Sequence, residues 1–456
     1  MDHERFRQIG HQLIDWVADY MENGHDGPVV PDALPGDVLR RIAAHAPQEA
    51  EPPDQVIEDF KTLIVPNLAH WNDPRYMGYF PCNHSGPGIL GELLSAGLNV
   101  NAMSWATSPA ATELEIAMMR WLGEMIGLAW PGTIQDTAST GTFCAMLAAR
   151  EQVAPINREG YYGRPPLVAY VSDQAHSSGI KAARMAGIGD AYLRAVPSDA
   201  QQAMNVQELA RLIKEDRLAG RVPFFVMATV GTTSTTAIDP VPEIAGLCRR
   251  EDLYLHVDAA LAGTAAILPE MRWIMNGVTE ADSFLFNPHK WMFTNFDCCA
   301  YFCKDPMKLK HALAIQPEYL KTQHDASVEN FRDWSPQLGR RFRALKLWFV
   351  MRMFGVHGLQ EKVRSHLKLA KWLSAQIAAH PRLHLWREPT LNTVCLHLGN
   401  RAETEAFMLR LNDTGKVFLT HTIVQGTYLI RISLGQTHQT AEHVHQLWQL
   451  MNEQLT

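Results

Sequence analysis

The chain has 456 residues, of which 46% are hydrophobic and 20% are charged, and its formal net charge is −7. This length predicts a globular protein with two or three domains. The negative charge argues against a nucleic acid or an anionic membrane as partner, because both attract basic surfaces. No apolar run is long enough to span a membrane, and the charged, amphipathic start is unlike a signal peptide.

The first predicted element is an amphipathic helix that stops at Gly24. Its apolar side chains recur every three or four positions, at Phe6, Ile9, Leu13, Val17 and Tyr20. A proline-rich connector follows, from GPVVPDALPGD to EPPD. Because these segments are too open to form their own core, we predict an N-terminal arm over residues 1–82 that packs on something else, such as a second subunit.

The middle of the chain alternates between strand-like and helix-like segments. Helix-like segments such as VQELARLIKEDRLAG separate short apolar runs, each suited to a strand buried on both faces: PLVAYVSD, PFFVMATVG and LYLHVDAAL. This alternation predicts an α/β domain over residues 83–350 with a mostly parallel sheet. A long helical segment and the short strands TVCLHLGN and YLIRISLG then predict a small α+β domain over residues 351–456.

Polar residues follow the ends of the predicted strands, where open α/β sheets bind their ligands. In chain order they are His176, Thr232, Thr233, Asp258, Asn287, His289 and Lys290. Separately, a turn of small residues leads into a helix, and its exposed N–H groups and hydroxyls at Thr137, Ala138 and Ser139 would suit a phosphate. Each feature alone has an ordinary structural explanation, such as a turn former, a helix cap or a solvated charge.

Together these residues predict pyridoxal 5′-phosphate as the cofactor. That molecule needs a lysine for its Schiff base, an acidic partner for its pyridine nitrogen and a site for its phosphate. A partly apolar pocket lowers the pKa of a lysine, which can then act as a nucleophile. We therefore predict that Lys290 forms the Schiff base, that Asp258 binds the pyridine nitrogen and that His176 stacks on the ring. No metal is predicted.

Several motifs resemble one enzyme family, namely NPHKW, HVDAALAG, SDQAHSS, HWNDPRYMGYFP, SWATSPAATELE and QLGRRFRALKLWF. Together they resemble the group II pyridoxal-phosphate decarboxylases, and most of all the aromatic L-amino-acid decarboxylases, which act on DOPA, 5-hydroxytryptophan, tyrosine, tryptophan or phenylalanine. The resemblance runs nearly end to end. It implies the fold-type-I transferase fold, with a helical arm, a mostly parallel sheet and a small C-terminal domain. It also implies a homodimer whose active sites lie at the interface.

The resemblance further implies roles for individual residues. Ala138, Ser139 and Asn287 would bind the phosphate, and His289 would support the lysine and the phosphate. Thr233 would lie beside the cofactor, His176 would also contact the substrate, and Tyr319 would return a proton after CO₂ leaves. The aromatic-ring pocket would contain Trp71, Tyr79, Phe80, Pro81 and Cys82, with Gly339 leaving room and Asn101 and Met103 reaching it from the neighbouring subunit.

Three of these positions depart from the animal members of the family. Cys82 replaces a threonine, and Asn101 and Met103 replace apolar or aromatic residues. Because Asn101 and Cys82 could hydrogen-bond a ring hydroxyl, we favour hydroxylated aromatic rings as substrates. The predicted function is the decarboxylation of aromatic L-amino acids to amines and CO₂ by a carboxy-lyase. Seven cysteines without CxxC spacing are typical of reduced thiols in a cytoplasmic protein.

Four alternatives stay open. An aromatic acetaldehyde synthase would couple decarboxylation to oxidative deamination. Family members with that activity have lost the tyrosine that corresponds to Tyr319 or the histidine that corresponds to His176, and both are present here. Histidine or glutamate decarboxylation is the second. The third is an aminotransferase, with Arg431 binding the α-carboxylate. The fourth is a non-catalytic protein that has kept the fold.

Overall fold

The computed structural model describes residues 1–315, 317–320, 322–325 and 327–455. In chain order its α-helices are α1 His3–Asn23, α2 Asp37–Arg41, α3 Pro53–Asp59, α4 Gly86–Leu98, α5 Pro109–Ile126, α6 Ala138–Val153, α7 Ile156–Glu159, α8 Ser178–Met185, α9 Val206–Leu218, α10 Val241–Glu251, α11 Pro288–Trp291, α12 Pro306–Leu313, α13 Arg343–Ala379, α14 Arg401–Asp413 and α15 Ala441–Leu455. The range of α13 contains two helical segments separated by a kink at Gly355, whose φ is 66°. None of these described helices is long and apolar enough to cross a membrane.

The strands form two sheets. They are β1 Gly132–Gln135, β2 Leu167–Ser172, β3 Leu193–Val196, β4 Val222–Thr229, β5 Tyr254–Asp258, β6 Ser283–Phe286, β7 Cys299–Cys303, β8 His384–Leu385, β9 Thr393–His397, β10 Thr420–Val424 and β11 Thr427–Ser433. The larger sheet has the order β1-β7-β6-β5-β4-β2-β3, and the smaller one has the order β10-β11-β9-β8. In the larger sheet β2 to β6 are mutually parallel, and β7 is antiparallel to both β1 and β6. The predicted fold class is confirmed.

By contacts the chain divides into two compact units. The larger unit contains Cys82–Gln376 and Arg387–Cys395. The smaller unit contains Met1–Pro81, Ile377–Trp386 and the described chain from Leu396 on. The three domains predicted from the sequence stay a prediction.

The central strands of the larger unit are buried on both faces, which accounts for their apolar sequences. Strands β2, β5 and β6 are buried along their whole length, and β4 is buried from its second residue. Runs rich in valine, leucine and phenylalanine fit this environment, because helices cover both faces of a parallel sheet. The predicted runs PLVAYVSD, PFFVMATVG and LYLHVDAAL coincide with β2, β4 and β5.

In the smaller unit, N-terminal and C-terminal residues pack together. The predicted first helix is present as α1, with Asp2 accepting a hydrogen bond from the Arg5 amide at its start and Gly24 at its end. Backbone bonds then join distant segments: Val29 N–H donates to the carbonyl of Gly415, and Met77 N–H to the carbonyl of Phe418. The connector therefore has a partner within its own chain, which the sequence did not indicate.

Candidate active site

The predicted site residues of the larger unit follow neighbouring strands. Strands β6, β5, β4 and β2 lie side by side and run in the same direction. Asn287, Asp258, Thr233 and His176 follow their carboxyl ends. The sheet thus presents an amide, a carboxylate, a hydroxyl and an imidazole along one edge, as predicted from the sequence. We call this the sheet-edge cluster.

Lys290 lies in α11, the short helical turn that follows β6. The turn is fixed by its backbone, since Asn287 N–H donates to the Ala260 carbonyl and Lys290 N–H donates to the Asn287 carbonyl, each at 2.9 Å. The lysine is partly buried. Burial lowers the pKa values of His176 and His289 and raises the pKa of Cys82. The charge of Lys290 adds to the first two shifts and opposes the third, so all three groups interact with the lysine.

Asp258 is buried at the end of β5, with only 3% of its surface exposed. Its Oδ1 accepts a hydrogen bond of 2.9 Å from the amide of Ala260. An ionised carboxylate in such a place needs positively charged or donor groups around it. This makes Asp258 a suitable partner for a protonated heterocyclic nitrogen.

The proton of neutral His176 has a defined position. Its Nδ1 lies 3.1 Å from the amide of Ser178, which can only donate, so Nδ1 accepts and the proton is on Nε2. The residue is exposed in the single chain. Partial burial of the ring nevertheless lowers its pKa, and the charge of Lys290 lowers the pKa further. The charge of Asp258 opposes both effects. His176 therefore offers a neutral ring with an Nε2–H donor.

A backbone amide also fixes the orientation of the His289 ring. Its Nδ1 accepts a 2.9 Å hydrogen bond from the amide of Cys298, and its ring centroid lies 4.7 Å from that of Phe296. Burial, aided by the charge of Lys290, lowers the pKa of His289 to about 3. The imidazole is neutral at physiological pH and adds no charge beside the lysine.

Two features fit a phosphorylated cofactor. The helix α6 starts at Ala138, so its first N–H groups lack partners within the helix and can bind an anion. Asn287 is 3% exposed, and its side-chain oxygen has no hydrogen-bond partner among the described residues. Buried amides rarely stay unsatisfied. The Asn287 amide and the α6 N-terminus could hold a phosphate, with Ser139 adding a partly exposed hydroxyl.

Other predicted residues of the larger unit lie on more exposed segments. Asn101 is exposed and Met103 is half-buried, while burial raises the pKa of the partly buried Cys82 thiol. Tyr319 lies in the 3₁₀ turn Glu318–Leu320 with 77% of its surface exposed. In this single chain Tyr319 is therefore not packed within the sheet-edge cluster.

The remaining predicted residues, Trp71, Tyr79, Phe80 and Pro81, belong to the smaller unit. The Trp71 and Tyr79 rings stack with centroids 5.4 Å apart and an angle of 13° between their planes. The Arg431 guanidinium lies 5.3 Å from the centroid of Phe80, which is buried. Trp71 and Tyr79 thus belong to an aromatic cluster with Tyr76 and Phe418.

Sequence reasoning missed the groups that fix these side chains. The amides of Ser178 and Cys298 determine the histidine tautomers, but backbone donors leave no signal in a sequence. It also missed Arg340, which is buried and pairs with Glu115 at 2.8 Å. The positive residues of QLGRRFR give no indication of which one is buried.

Comparisons with known proteins agree with this geometry. The family model described as "Pyridoxal-dependent decarboxylase conserved domain" matches residues 35–399. The chain is 40% identical to the aromatic-L-amino-acid decarboxylase of Sus scrofa, with 98% of this chain and 96% of the relative covered. It is 37% identical to the phenylacetaldehyde synthase of Petunia hybrida, with 100% and 95% covered.

A solved structure matches over the whole chain. The Catharanthus roseus tryptophan decarboxylase in complex with L-tryptophan superposes with a TM-score of 0.94 and 35% identity, covering 100% of this chain and 98% of the other. The matched fold and family agree with the predicted cofactor and reaction class. The chain belongs to the pyridoxal-dependent decarboxylase family: it is a carboxy-lyase that uses pyridoxal 5′-phosphate.

Proposed function

We propose that this enzyme decarboxylates aromatic L-amino acids to the corresponding amines and CO₂. The sheet-edge cluster with Lys290 carries this proposal, because it combines the lysine, carboxylate and imidazole that the cofactor chemistry requires. Relatives named for aromatic substrates, and the stacked rings of Trp71 and Tyr79, support the choice of substrate.

The cofactor supplies an electron sink that accepts the electron pair left at Cα when CO₂ departs. We assign attachment of the cofactor to Lys290, binding of its ring nitrogen to Asp258, and binding of its phosphate to Asn287, Ala138 and Ser139. The carboxylate of Asp258, buried and fixed by the Ala260 amide, would keep a proton on that nitrogen. Thr233 would lie beside the ring, and neutral His289 would support the lysine.

Two residues would handle the substrate and its proton. The flat, neutral ring of His176 would stack on the cofactor and offer its Nε2–H to the substrate. Tyr319 would deliver a proton to Cα by general acid catalysis. Its exposure in the single chain means that this step needs the turn Glu318–Leu320 to move or a partner subunit to cover it.

We assign recognition of the substrate ring to Trp71, Tyr79, Phe80, Pro81 and Cys82. We also propose a homodimer, in which Asn101 and Met103 of each subunit, together with Gly339 beside Asn101, face the ring site of the other. The helix α4 supports the dimer, because it exposes a row of leucines, Leu90, Leu93, Leu94 and Leu98, at between 42% and 61%. Such a contiguous apolar surface is typical of an interface.

We further propose that the protein works in the cytoplasm. Its seven cysteines form no disulfide, and six of them are buried. Thiols persist in this state where the surroundings are reducing.

An aromatic acetaldehyde synthase is the second candidate, since the petunia relative carries that kind of name. Presence of both Tyr319 and His176 favours the simple decarboxylase. Measuring amine and aldehyde formed per CO₂ from the same reaction separates the two: the decarboxylase gives about one amine per CO₂, and the synthase gives aldehyde instead.

The test of the proposed function is CO₂ release from a panel of L-amino acids by the holoenzyme. We expect DOPA, 5-hydroxytryptophan, tyrosine, tryptophan and phenylalanine to be turned over with kcat/KM values far above those for histidine and glutamate. A clear preference for histidine or glutamate would overturn the assignment of the aromatic residues to substrate binding. Absence of CO₂ from every amino acid would overturn the proposal as a whole.

A further inference from the structure

The loop that follows β4, residues 230–238, is closed at its base, and we call it the β4 loop. Asp239 joins its two ends, since the Asp239 N–H donates to the Thr229 carbonyl at 2.9 Å and Asp239 Oδ2 accepts from the Thr229 amide at 2.7 Å. The loop is also tied to the end of β5, because Val230 N–H donates to the Asp258 carbonyl at 2.8 Å. The loop that contains Thr233 therefore starts beside the sheet-edge cluster.

Inside the β4 loop, hydrogen bonds hold Thr232, and the backbone of Thr236 is strained. Thr232 N–H donates to the Ala237 carbonyl at 2.8 Å, and Thr232 Oγ1 accepts from the Ala237 amide at 3.0 Å. Thr236 has a φ of 58°, a left-handed conformation that a β-branched residue rarely adopts. Such a conformation persists only where surrounding contacts hold it. The position of Thr233 therefore depends on what holds the loop from outside.

Two side chains of the segment Arg387–Cys395 hold the β4 loop from outside. Arg387 donates to the Thr235 carbonyl at 3.3 Å, and Cys395 Sγ lies 3.7 Å from the carbonyl oxygen of Ser234. This segment belongs to the larger unit, as the loop does. Ser234 and Thr235 are the two residues between Thr233 and the strained Thr236. The segment therefore contacts the loop at the place where its backbone needs support.

Arg387 also bonds the turn that follows β3. Its Nη1 donates to the Gln201 carbonyl at 2.6 Å and lies 3.5 Å from Gln202 Oε1. The turn is held by Asp199, whose Oδ1 accepts from the amides of Gln201 and Ala203 at 2.8 and 3.0 Å. A guanidinium carries donors on separate nitrogens in one plane, so it can bind two carbonyls at once. Arg387 therefore ties the β4 loop to a fixed turn.

The same two segments are joined a second time at the base of the β4 loop. Asp239 Oδ1 accepts from the Met204 amide at 2.7 Å, and this carboxylate is buried. Loss of Arg387 would leave that base closed and would free only the part of the loop that contains Thr233. We therefore expect a local change at the sheet edge when Arg387 is replaced, with the rest of the fold retained.

We propose that Arg387 is a positioning residue, which holds the β4 loop so that Thr233 meets the cofactor. This inference rests on the proposed function, in which Thr233 lies beside the ring of the cofactor. Arg387 acts through the Thr235 carbonyl and the backbone of the loop, and it does not touch the cofactor itself. Its removal should therefore weaken cofactor binding only as far as Thr233 contributes to that binding.

The test is a double-mutant cycle on the dissociation constant of pyridoxal 5′-phosphate, measured by equilibrium dialysis of the holoenzyme. Thr233→Val removes the hydroxyl, and Arg387→Met keeps an unbranched side chain and removes every donor. We expect each change to raise the dissociation constant about fivefold, the worth of one hydrogen bond. The double variant should also show a rise of about fivefold, because both changes remove the same contact. A rise of about 25-fold would mean independent effects and would overturn the inference.

Hydrogen exchange of the holoenzyme gives a readout without turnover. Arg387→Met should raise the exchange rate of amides in the β4 loop about fivefold, because the loop opens more often once its outside contact is lost. Arg272→Met is the matched control, since Arg272 also bonds two carbonyls, those of Ala266 and Met125, at 2.8 and 2.7 Å. It should leave both the dissociation constant and the exchange of the β4 loop unchanged.

Two further results would overturn this inference and leave the proposed function standing. The first is an active wild-type enzyme in which Arg387→Met leaves the dissociation constant or the exchange of the β4 loop unchanged. The second is a dissociation constant that rises as much in Arg272→Met as in Arg387→Met, since the effect would then reflect general destabilisation. A wild-type holoenzyme that releases no CO₂ from any aromatic amino acid would overturn both the inference and the proposed function.

Discussion

The sheet-edge cluster and the exposed segments of the larger unit differ in how fully a single chain buries and fixes their side chains. Asp258 and Asn287 of the cluster, and His289 beside Lys290, are between 3% and 4% exposed, and their backbone partners fix them in place. Tyr319 is 77% exposed, and Asn101 is exposed as well. Under the proposed function the buried group holds the cofactor, and the exposed group selects the substrate and the product. Changes in the first should abolish turnover, and changes in the second should redirect it.

The largest effect is expected for Lys290→Ala. Loss of the amine that binds the cofactor and transfers protons should lower kcat on the order of 10⁴-fold or more. Steady-state CO₂ release with saturating cofactor measures it. The control Lys214→Ala removes an exposed lysine of α9 and should leave kcat unchanged. A Lys290→Ala enzyme with near-normal turnover would place the attachment of the cofactor elsewhere.

Tyr319→Phe should change the product and spare the first step. It keeps the ring and removes the proton, so CO₂ release continues while the yield of amine per CO₂ falls on the order of 100-fold. Aldehyde, ammonia and hydrogen peroxide should appear in its place, with uptake of O₂. Product analysis against CO₂ measures this partition.

The matched control for this variant is Tyr162→Phe, since Tyr162 is fully exposed and has no assigned role. It should give the wild-type products. An unchanged yield of amine in Tyr319→Phe would show that another group, such as His176, delivers the proton.

Arg340→Gln should lower the stability of the protein and leave the reaction at the sheet edge unchanged. Removing one partner of the buried Arg340–Glu115 pair leaves an uncompensated charge, and the free energy of unfolding should fall by about 3–5 kcal/mol. Urea unfolding measures it. The exposed pair Arg184–Asp190 provides the comparison, since Arg184→Gln should shift the midpoint little. Equal midpoints for the two variants would show that the buried pair contributes little to stability.

The smallest effect concerns pH. Burial lowers the pKa of His256 from 6.5 to about 4. Between these values the unfolded chain binds a proton that the folded chain does not, so stability is full above pH 6.5 and falls as the pH falls. At pH 5 the loss from this residue should be about 2 kcal/mol.

Unfolding midpoints between pH 7 and 5 test this dependence. His256→Asn should reduce the change of the unfolding midpoint with pH. The variant should also be less stable at every pH, because it loses the 2.8 Å hydrogen bond between His256 and Ser283. His45→Asn, at an exposed histidine, should keep the wild-type slope. A slope that is equal in all three proteins would mean that His256 is protonated in the folded state.

The contrast between the two regions also explains what the sequence could predict. Strands buried on both faces must be apolar throughout, so β2, β4 and β5 were visible as continuous runs. Parallel strands end at the same edge, so the polar residues that follow them can be grouped from the sequence alone. This logic led to Asp258 and Lys290 together.

Long-range backbone contacts and buried charge pairs were out of reach. Arg340 and Glu115 are 225 positions apart, and the Asn101 amide is oriented by a backbone N–H that every residue except proline possesses. The pairing of the proline-rich connector with the chain near Gly415 is likewise a backbone contact. In each case the information lies in the fold and not in the local pattern of side chains.

Attachment of the cofactor to Lys290 is tested most directly by borohydride reduction of the holoenzyme followed by peptide mapping. Reduction converts the Schiff base to a stable amine, so the modified lysine can be identified by mass. We expect the pyridoxyl group on the peptide that contains NPHKW, at Lys290, in near-stoichiometric amount. Labelling of a different lysine, for example the buried Lys346, would contradict the assignment of the sheet-edge cluster as the catalytic site.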